Sequence, residues 1–355
     1  MTDPRVLVVN AGSTSLKLDL VDASETSVHL AGLDAVAGTA VDAVAHRIVH
    51  GGPRYRDPVL VDTQVERDLE SLVELAPLHN RPALDAYRSM RAKLPGVRHV
   101  AVFDTGFHAT IPEHAAVYAV PSEWREQYGI RRYGFHGLSV QWASERAPEL
   151  TGRPAGDLRM IVCHLGGGSS VTAVAAGRSV DTTMGFSPLE GVPMTTRSGS
   201  VDPGAVVHAM RAGGLGADQV DSILNTHSGI AALAGVGGGM QAVVDAAEAG
   251  GRDAQIALDV FTYRVAGAVA TMAMAAGGQD ELVFTAGIGE HSPQVRERVC
   301  RHLAFLGVAL DAEANRTARP DTAVSPTDAS MAVLVIRARE ELIAARCARA
   351  VLARA

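Results

Sequence analysis

Two short stretches of this chain share one design: an apolar strand, a small polar turn and a second strand. In the first, Val6-Leu-Val-Val9 runs into Asn10-Ala-Gly-Ser13-Thr-Ser15. Leu16-Lys17-Leu-Asp-Leu20 then alternates with the period of a half-buried strand. In the second, Met160-Ile-Val-Cys163 runs into His164-Leu-Gly166-Gly167-Gly168-Ser-Ser170, and Val171-Thr-Ala-Val174 follows. A unit that returns half a chain later points to a duplicated core, with one phosphate-sized hairpin in each copy. A length of 355 residues leaves room for both copies, on a prior of roughly two or three domains.

Further strand candidates lie at residues 43–49, 100–103 and 282–285. The last feeds a glycine turn, Ala286-Gly287-Ile288-Gly289-Glu290. Asp202-Pro203 and Ser292-Pro293 each read as a cap followed by proline at the first helical position. Helical patterns also run from Asp253 to Ala276 and from Glu340 onward. The fold class is α/β with mixed sheets.

A net charge of −7 leaves no basic face for nucleic acid. The most apolar long stretch, residues 253–278, carries Asp259 and Arg264. It offers no clean run of about 18 apolar residues, so no membrane partner is expected. The N-terminus lacks the pattern of a secretory leader. Cys163, Cys300 and Cys347 are odd in number and widely spaced, which suits reduced thiols and a cytoplasmic protein. Of the 32 basic residues only Lys17 and Lys93 are lysines; the rest are arginines. A lysine kept against such a bias suggests a position that wants a compact point charge.

Lys17 closes a segment, residues 10–17, rich in backbone N–H groups and hydroxyls, which could cradle an anion or simply form a solvated turn. Arg47, in His46-Arg-Ile-Val-His50-Gly-Gly52, ends an apolar strand, where its guanidinium could fork onto phosphate or join a structural ion pair. Asp104 ends another strand, a position suited to orienting a metal or an arginine, or to capping a helix. His136, between Phe135 and Gly137, could donate to an anion or be a structural histidine. Arg197 lies in a long loop punctuated by Gly185, Pro188, Gly191 and Pro193, and long ordered loops tend to be functional. Glu340 could bind a metal, although the helix dipole favours an acidic residue there anyway. No zinc spacing and no nucleophile elbow is present. Together these residues suit phosphoryl transfer, which depends on charge neutralisation and positioning more than on a nucleophilic side chain.

These motifs, with Leu75-Ala-Pro-Leu78-His79-Asn80, Phe103-Asp104-Thr-Gly-Phe-His108 and Arg339-Glu340-Glu341-Leu342, resemble the acetokinase family over nearly the whole chain. The resemblance implies the duplicated actin/sugar-kinase/Hsp70 (ribonuclease H-like) fold. A shortened N-terminal subdomain would span 1–105, with the helix 341–355 returning to it. A C-terminal subdomain, 106–340, would carry the nucleotide site and dimer interface. It further implies a homodimer that transfers phosphoryl directly and reversibly from ATP to acetate with Mg²⁺ (or Mn²⁺), giving acetyl phosphate and ADP. On matching positions Asn10 and Glu340 would serve the metal. Lys17, Ser13, Ser15, His164, Gly166, Gly167, Gly168, Gly287, Ile288 and Gly289 would line the nucleotide phosphates. Arg47 and Arg197 would clamp the transferring group, His136 would donate to it, and Asp104 would orient Mg²⁺ or an arginine. His79 would support them, and Val49, Leu78, Phe135 and Pro188 would hold the acetate methyl.

The departures from the family pattern cluster. The chain is short before Ala43, and Pro53 replaces a glutamate. Gly167 replaces an asparagine, and His291 another. On the adenosine side, Gly237-Gly-Gly239-Met-Gln241-Ala242 lacks the family's aspartate and arginine, and Ala338-Arg339 replaces Thr-Asn. The acceptor side is nearly complete and the nucleotide side eroded. Three readings follow: an acetate kinase, a propionate/butyrate or non-ATP (for example pyrophosphate) variant, and a catalytically weak acetyl-phosphate or nucleotide sensor.

Overall fold

In the computed structural model, which describes residues 4–12, 16–36 and 38–354, one strand pattern occurs twice. The first sheet contains β1 (Val6–Ala11), β2 (Leu16–Val21), β3 (Ser27–Leu30), β4 (Ala43–Ile48), β5 (Val59–Leu60) and β6 (Arg98–Phe103), in the order β3-β2-β1-β4-β6-β5. The second contains β7 (Arg159–Leu165), β8 (Ser169–Ala175), β9 (Arg178–Thr182), β10 (Glu281–Thr285), β11 (Thr322–Ala323) and β12 (Ala332–Val335), in the order β9-β8-β7-β10-β12-β11. Strand directions also match. β1–β4–β6 and β7–β10–β12 are parallel, and every flanking pair is antiparallel. The hairpins β1–β2 and β7–β8 occupy equivalent places, so the duplication expected from them is a property of the whole topology.

The chain divides into two compact units: Met1–Ala109, Ala119–Trp142 and Arg339–Ala355 form the first, and Thr110–Tyr118 and Ala143–Ala338 the second. Residues 119–142 thus group with the first unit rather than with the later part of the chain. In the first unit the central strands are buried on both faces, which is why they read as unbroken apolar runs. Val6 and Val8 face Leu342, Ile343 and Ala345 of the helix Glu340–Arg354. Leu7 and Val9 face Met90 of the helix Pro77–Lys93. The second unit packs β7, β8, β10 and β12 against Leu258, Phe261, Val265 and Val269 of the helix Arg252–Ala275.

Two stretches, Gly229–Glu248 and Arg252–Ala275, are long and apolar enough to cross a membrane by length and composition alone, a result the charge-based reading of 253–278 did not anticipate. The inner face of the second lies in the core described above. Asp202 caps the helix Pro203–Gly213 through the Gly204 N–H at 2.8 Å. Residues 286–291 depart from expectation, being a short helix rather than a glycine turn. Cys163 and Cys300 are buried thiols.

Beneath β4 the buried imidazoles of His46 and His99 share a hydrogen bond of 2.9 Å, with Tyr87 edge-on to His46 at 5.3 Å. Burial, and secondarily the neighbouring His99, pushes His46 down to about 3. The unfolded chain, at 6.5, therefore binds the proton more tightly. Its contribution to stability is complete above 6.5 and lost as pH falls toward about 3. Chemical denaturation at pH 7.5 and 5 is predicted to show a larger acid loss for the wild type than for His46→Gln; equal losses would contradict this.

Candidate active site

In the first unit the chemically loaded residues gather where the parallel strands β1, β4 and β6 end, the edge at which α/β sheets bind ligands. Arg47, in β4, and Asp104, just after β6, form a two-pronged pair. Nε donates to Oδ1 at 2.7 Å and Nη2 to Oδ2 at 2.5 Å. Arg47 Nη1 donates to the Asn10 amide oxygen at 3.0 Å and lies 3.5 Å from Glu340 Oε2. Asn10 Nδ2 in turn donates to Glu340 Oε2 at 3.2 Å. Lys17 faces Asn10 across the β1–β2 ladder and is exposed. Ser13 and Ser15 lie outside the described residues.

Burial alone would lower the Arg47 guanidinium, but Asp104 and Glu340 outweigh it and hold the group charged. Burial pushes the Asp104 carboxyl up, opposed by the Arg47 fork and by a hydrogen bond from the His136 backbone. Two carboxylate oxygens accepting from one guanidinium is the geometry of the ionised pair. Of the two roles open to Asp104, orienting a metal or orienting an arginine, its contacts are those of the second. The fork and the Asn10 bond engage three of five guanidinium N–H groups, and the Glu340 carboxylate lies beside the second N–H of Nη1, so the second N–H of Nη2 is the one farthest from these partners.

His136 is half-buried in a left-handed conformation, φ 61°. The next residue has to be glycine. Gly137 N–H donates to the Asp104 carbonyl at 2.9 Å, and a Cβ there would collide with that oxygen. Val49 and Phe135 are buried, whereas Leu78 is 42% exposed at the start of the Pro77–Lys93 helix. His79 is half-buried on the same helix. Two supporting residues carried no role in the sequence reading. Asn80 clamps the backbone of His50, accepting from its N–H and donating to its carbonyl, both at 3.0 Å. His108, neutral because burial pushes it down to about 4, hydrogen-bonds the Phe135 carbonyl at 2.9 Å.

In the second unit His164 ends β7 beside Thr285 at the end of β10. The Gly166-Gly167-Gly168 turn is tight: Gly166 N–H donates to the Gly168 carbonyl at 2.9 Å. Gly166 also lies close enough to Ala286 that a Cβ on it would touch Ala286 Cβ at 3.7 Å. This brings the turn to the start of the 286–291 helix, where Gly287 is exposed and Ile288 and Gly289 are buried. Arg197 is half-buried, and its Nη1 donates to the carbonyl of buried Pro188 at 2.6 Å. Among the described residues no carboxylate lies within ion-pair distance of it, and burial pushes its guanidinium below the ordinary value.

Removing Asp104 would leave a largely buried arginine without its main counter-charge. Asp104→Ala is therefore predicted to cost about 3–5 kcal/mol in the first unit, read by denaturant unfolding; a loss near zero would contradict the ionised fork.

Residues 35–346 match the Acetokinase family. The acetate kinase of Trichormus variabilis is 46% identical over 308 residues, covering 86% of this chain and 76% of that protein. The acetate kinase of Thermoanaerobacter pseudethanolicus is 46% identical over 307 residues, covering 86% and 77%. Among solved structures, Porphyromonas gingivalis acetate kinase superposes with a TM-score of 0.87 at 33% identity, over 98% of this chain and 100% of that one. A propionate kinase from Francisella tularensis gives 0.91 at 32%, over 98% and 99%. The ordered motifs, the duplicated sheets and these similarities agree: the chain belongs to the acetokinase family.

Proposed function

We propose that this protein is an acetate kinase, transferring the γ-phosphoryl group of ATP reversibly to acetate to form acetyl phosphate and ADP. The observation that carries this reading beyond family membership is Arg197. A half-buried guanidinium with one neutral carbonyl partner is costly in isolation, and an anionic ligand would offset that cost. Arg47 differs in being locked by Asp104, Asn10 and Glu340, which fixes the direction in which its charge faces an anion. Acetate is already a nucleophile at neutral pH, so no strong general base is needed. Arg47 and Arg197 neutralise the transferring phosphoryl group, His136 donates to it, and Asp104 fixes the orientation of Arg47. Val49, Leu78 and Phe135 are the first unit's apolar candidates for the acetate methyl, and Pro188 is the second unit's. For the nucleotide phosphates the second unit offers His164, Gly166, Gly167, Gly168, Gly287, Ile288 and Gly289, and the first unit offers Lys17.

Glu340 and Asn10 would hold Mg²⁺ beside the phosphates. Among the described residues no group of three or more His, Cys, Asp or Glu could hold a metal alone. Their oxygen donors still fit Mg²⁺, which takes one or two carboxylates and completes its shell with water and phosphate. When bound, it supplies charge neutralisation at the phosphates.

A homodimer in the cytoplasm completes the proposal. Its support is a pair of helices, Pro203–Gly213 and Ala217–Thr226, that bury no residue and expose Val207 and Ile223. The similarity to a propionate kinase favours one alternative acceptor. On the donor side, Gly237 and Gly239 face open space and Gln241 pairs along its own helix with Asp245 at 2.8 Å. That arrangement is the reason to test GTP and pyrophosphate as alternative donors beside ATP.

Hydroxamate detection with ATP, GTP and pyrophosphate against acetate, propionate and butyrate tests the reading. ATP with acetate is expected to give product, and activity with no pair would support a sensor. Arg197→Ala is predicted to lower turnover by about 10²–10⁴-fold, as loss of a preorganised charge donor does; near-normal activity would remove its role. Lys17→Arg is predicted to impair transfer more than Lys93→Arg, because Lys17 stands opposite Asn10 while Lys93 ends an exposed helix turn.

A further inference from the structure

Arg296 is the largest fully buried side chain among the described residues, 1% exposed, with no carboxylate within ion-pair distance among them. It belongs to the helix Pro293–His302. Four oxygen contacts stand in for a counter-ion. Nη1 donates to the carbonyls of Gly289 and Glu290, each at 2.9 Å. Nε donates to Asn315 Oδ1 and Nη2 to the Asn315 carbonyl, each at 2.7 Å. Asn315 Nδ2 donates in turn to the Pro293 carbonyl at 2.9 Å. A planar guanidinium reaches all these oxygens at once, as an ammonium cannot. Burying a cation without an anion is a poor route to stability, since a well-packed apolar side chain serves at least as well. What the fork does supply is fixed geometry at the end of the 286–291 helix. The Glu290 carboxylate, accepting from the Ala338 N–H at 2.9 Å, pins the same point from another side. Within residues 281–290 only Gly287 is exposed, and a Cβ on it would meet nothing within 4 Å.

We propose that Arg296 is a positioning residue: by holding the Gly289 and Glu290 carbonyls it presents the open backbone of Gly287 to the nucleotide. This rests on the reading of Gly287, Ile288 and Gly289 as nucleotide contacts. Calorimetry with ADP and steady-state kinetics of Arg296→Lys test it. ADP Kd and KM for ATP are expected to rise about 10-fold or more, as small misplacements at a site do, with KM for acetate unchanged. Amide hydrogen exchange at 286–290 is expected to quicken. Asn315→Ala keeps the arginine and removes one acceptor; it should show the same split more weakly, and it carries the comparison if Arg296→Lys does not fold. Unchanged ADP affinity in variants that fold, or ATP and acetate KM values rising together, would overturn the positioning role. Failure of the wild type to bind ADP would instead overturn the nucleotide reading itself.

Discussion

The bidentate pair between Arg47 and Asp104 is the constraint around which the first unit's chemistry is arranged. Both groups sit at the ends of neighbouring parallel strands, so the sheet register fixes their separation. Each would be costly there alone, and together they form a charge that cannot wander. Asn10 and Glu340 attach to the same guanidinium from β1 and from the returning C-terminal helix. Three strands and one helix are thus tied to a single side chain, and what it offers a ligand is direction as much as charge.

The second unit repeats the sheet but not this solution. Its arginine at the candidate site, Arg197, hangs from a loop and touches a single carbonyl. Arg296, which is fully buried, faces backbone oxygens and the Asn315 side chain behind the 286–291 helix. A duplicated scaffold has therefore been given different electrostatics in its two copies: an arginine locked by a carboxylate fork in one and an arginine with no carboxylate partner among the described residues in the other. That asymmetry suits a reaction in which highly charged groups must be bound and released reversibly.

How much of this was legible beforehand depended on whether the signal was local. The two hairpins announced the duplication because a strand–turn–strand unit is contained within about twenty residues, and Asp202-Pro203 marked its helix for the same reason. Arg47, Asp104, His136 and Arg197 stood out as charged or titratable residues where apolar strands end or a long loop runs. An arginine partner for Asp104 and an ion pair for Arg47 were each among the alternatives read, but that the two residues pair with each other was not legible, since it depends on sheet register between segments far apart in sequence. The fork between residues 47 and 104 could equally have been two separate ligands. Arg296 left a faint trace: it lies on the helical stripe of Val295, Val299, Cys300 and Leu303, where a charge is out of place. Asn80 and His108 act on backbone carbonyls, contacts that residue type alone does not reveal. The 286–291 segment misled because three small residues in five resemble a turn, whereas it forms a short helix in which Gly289 sits close to the backbones of Phe284 and Cys163.

In this account the side chains neutralise and orient charge and none becomes phosphorylated, so the phosphoryl group moves once, from ATP to the carboxylate. The stereochemistry at phosphorus tests this most directly. With ATP made chiral at its γ-phosphorus by oxygen isotopes, and acetate as acceptor, the account predicts inversion of configuration in acetyl phosphate. Net retention would mean two successive transfers through a phosphorylated side chain, and would contradict it.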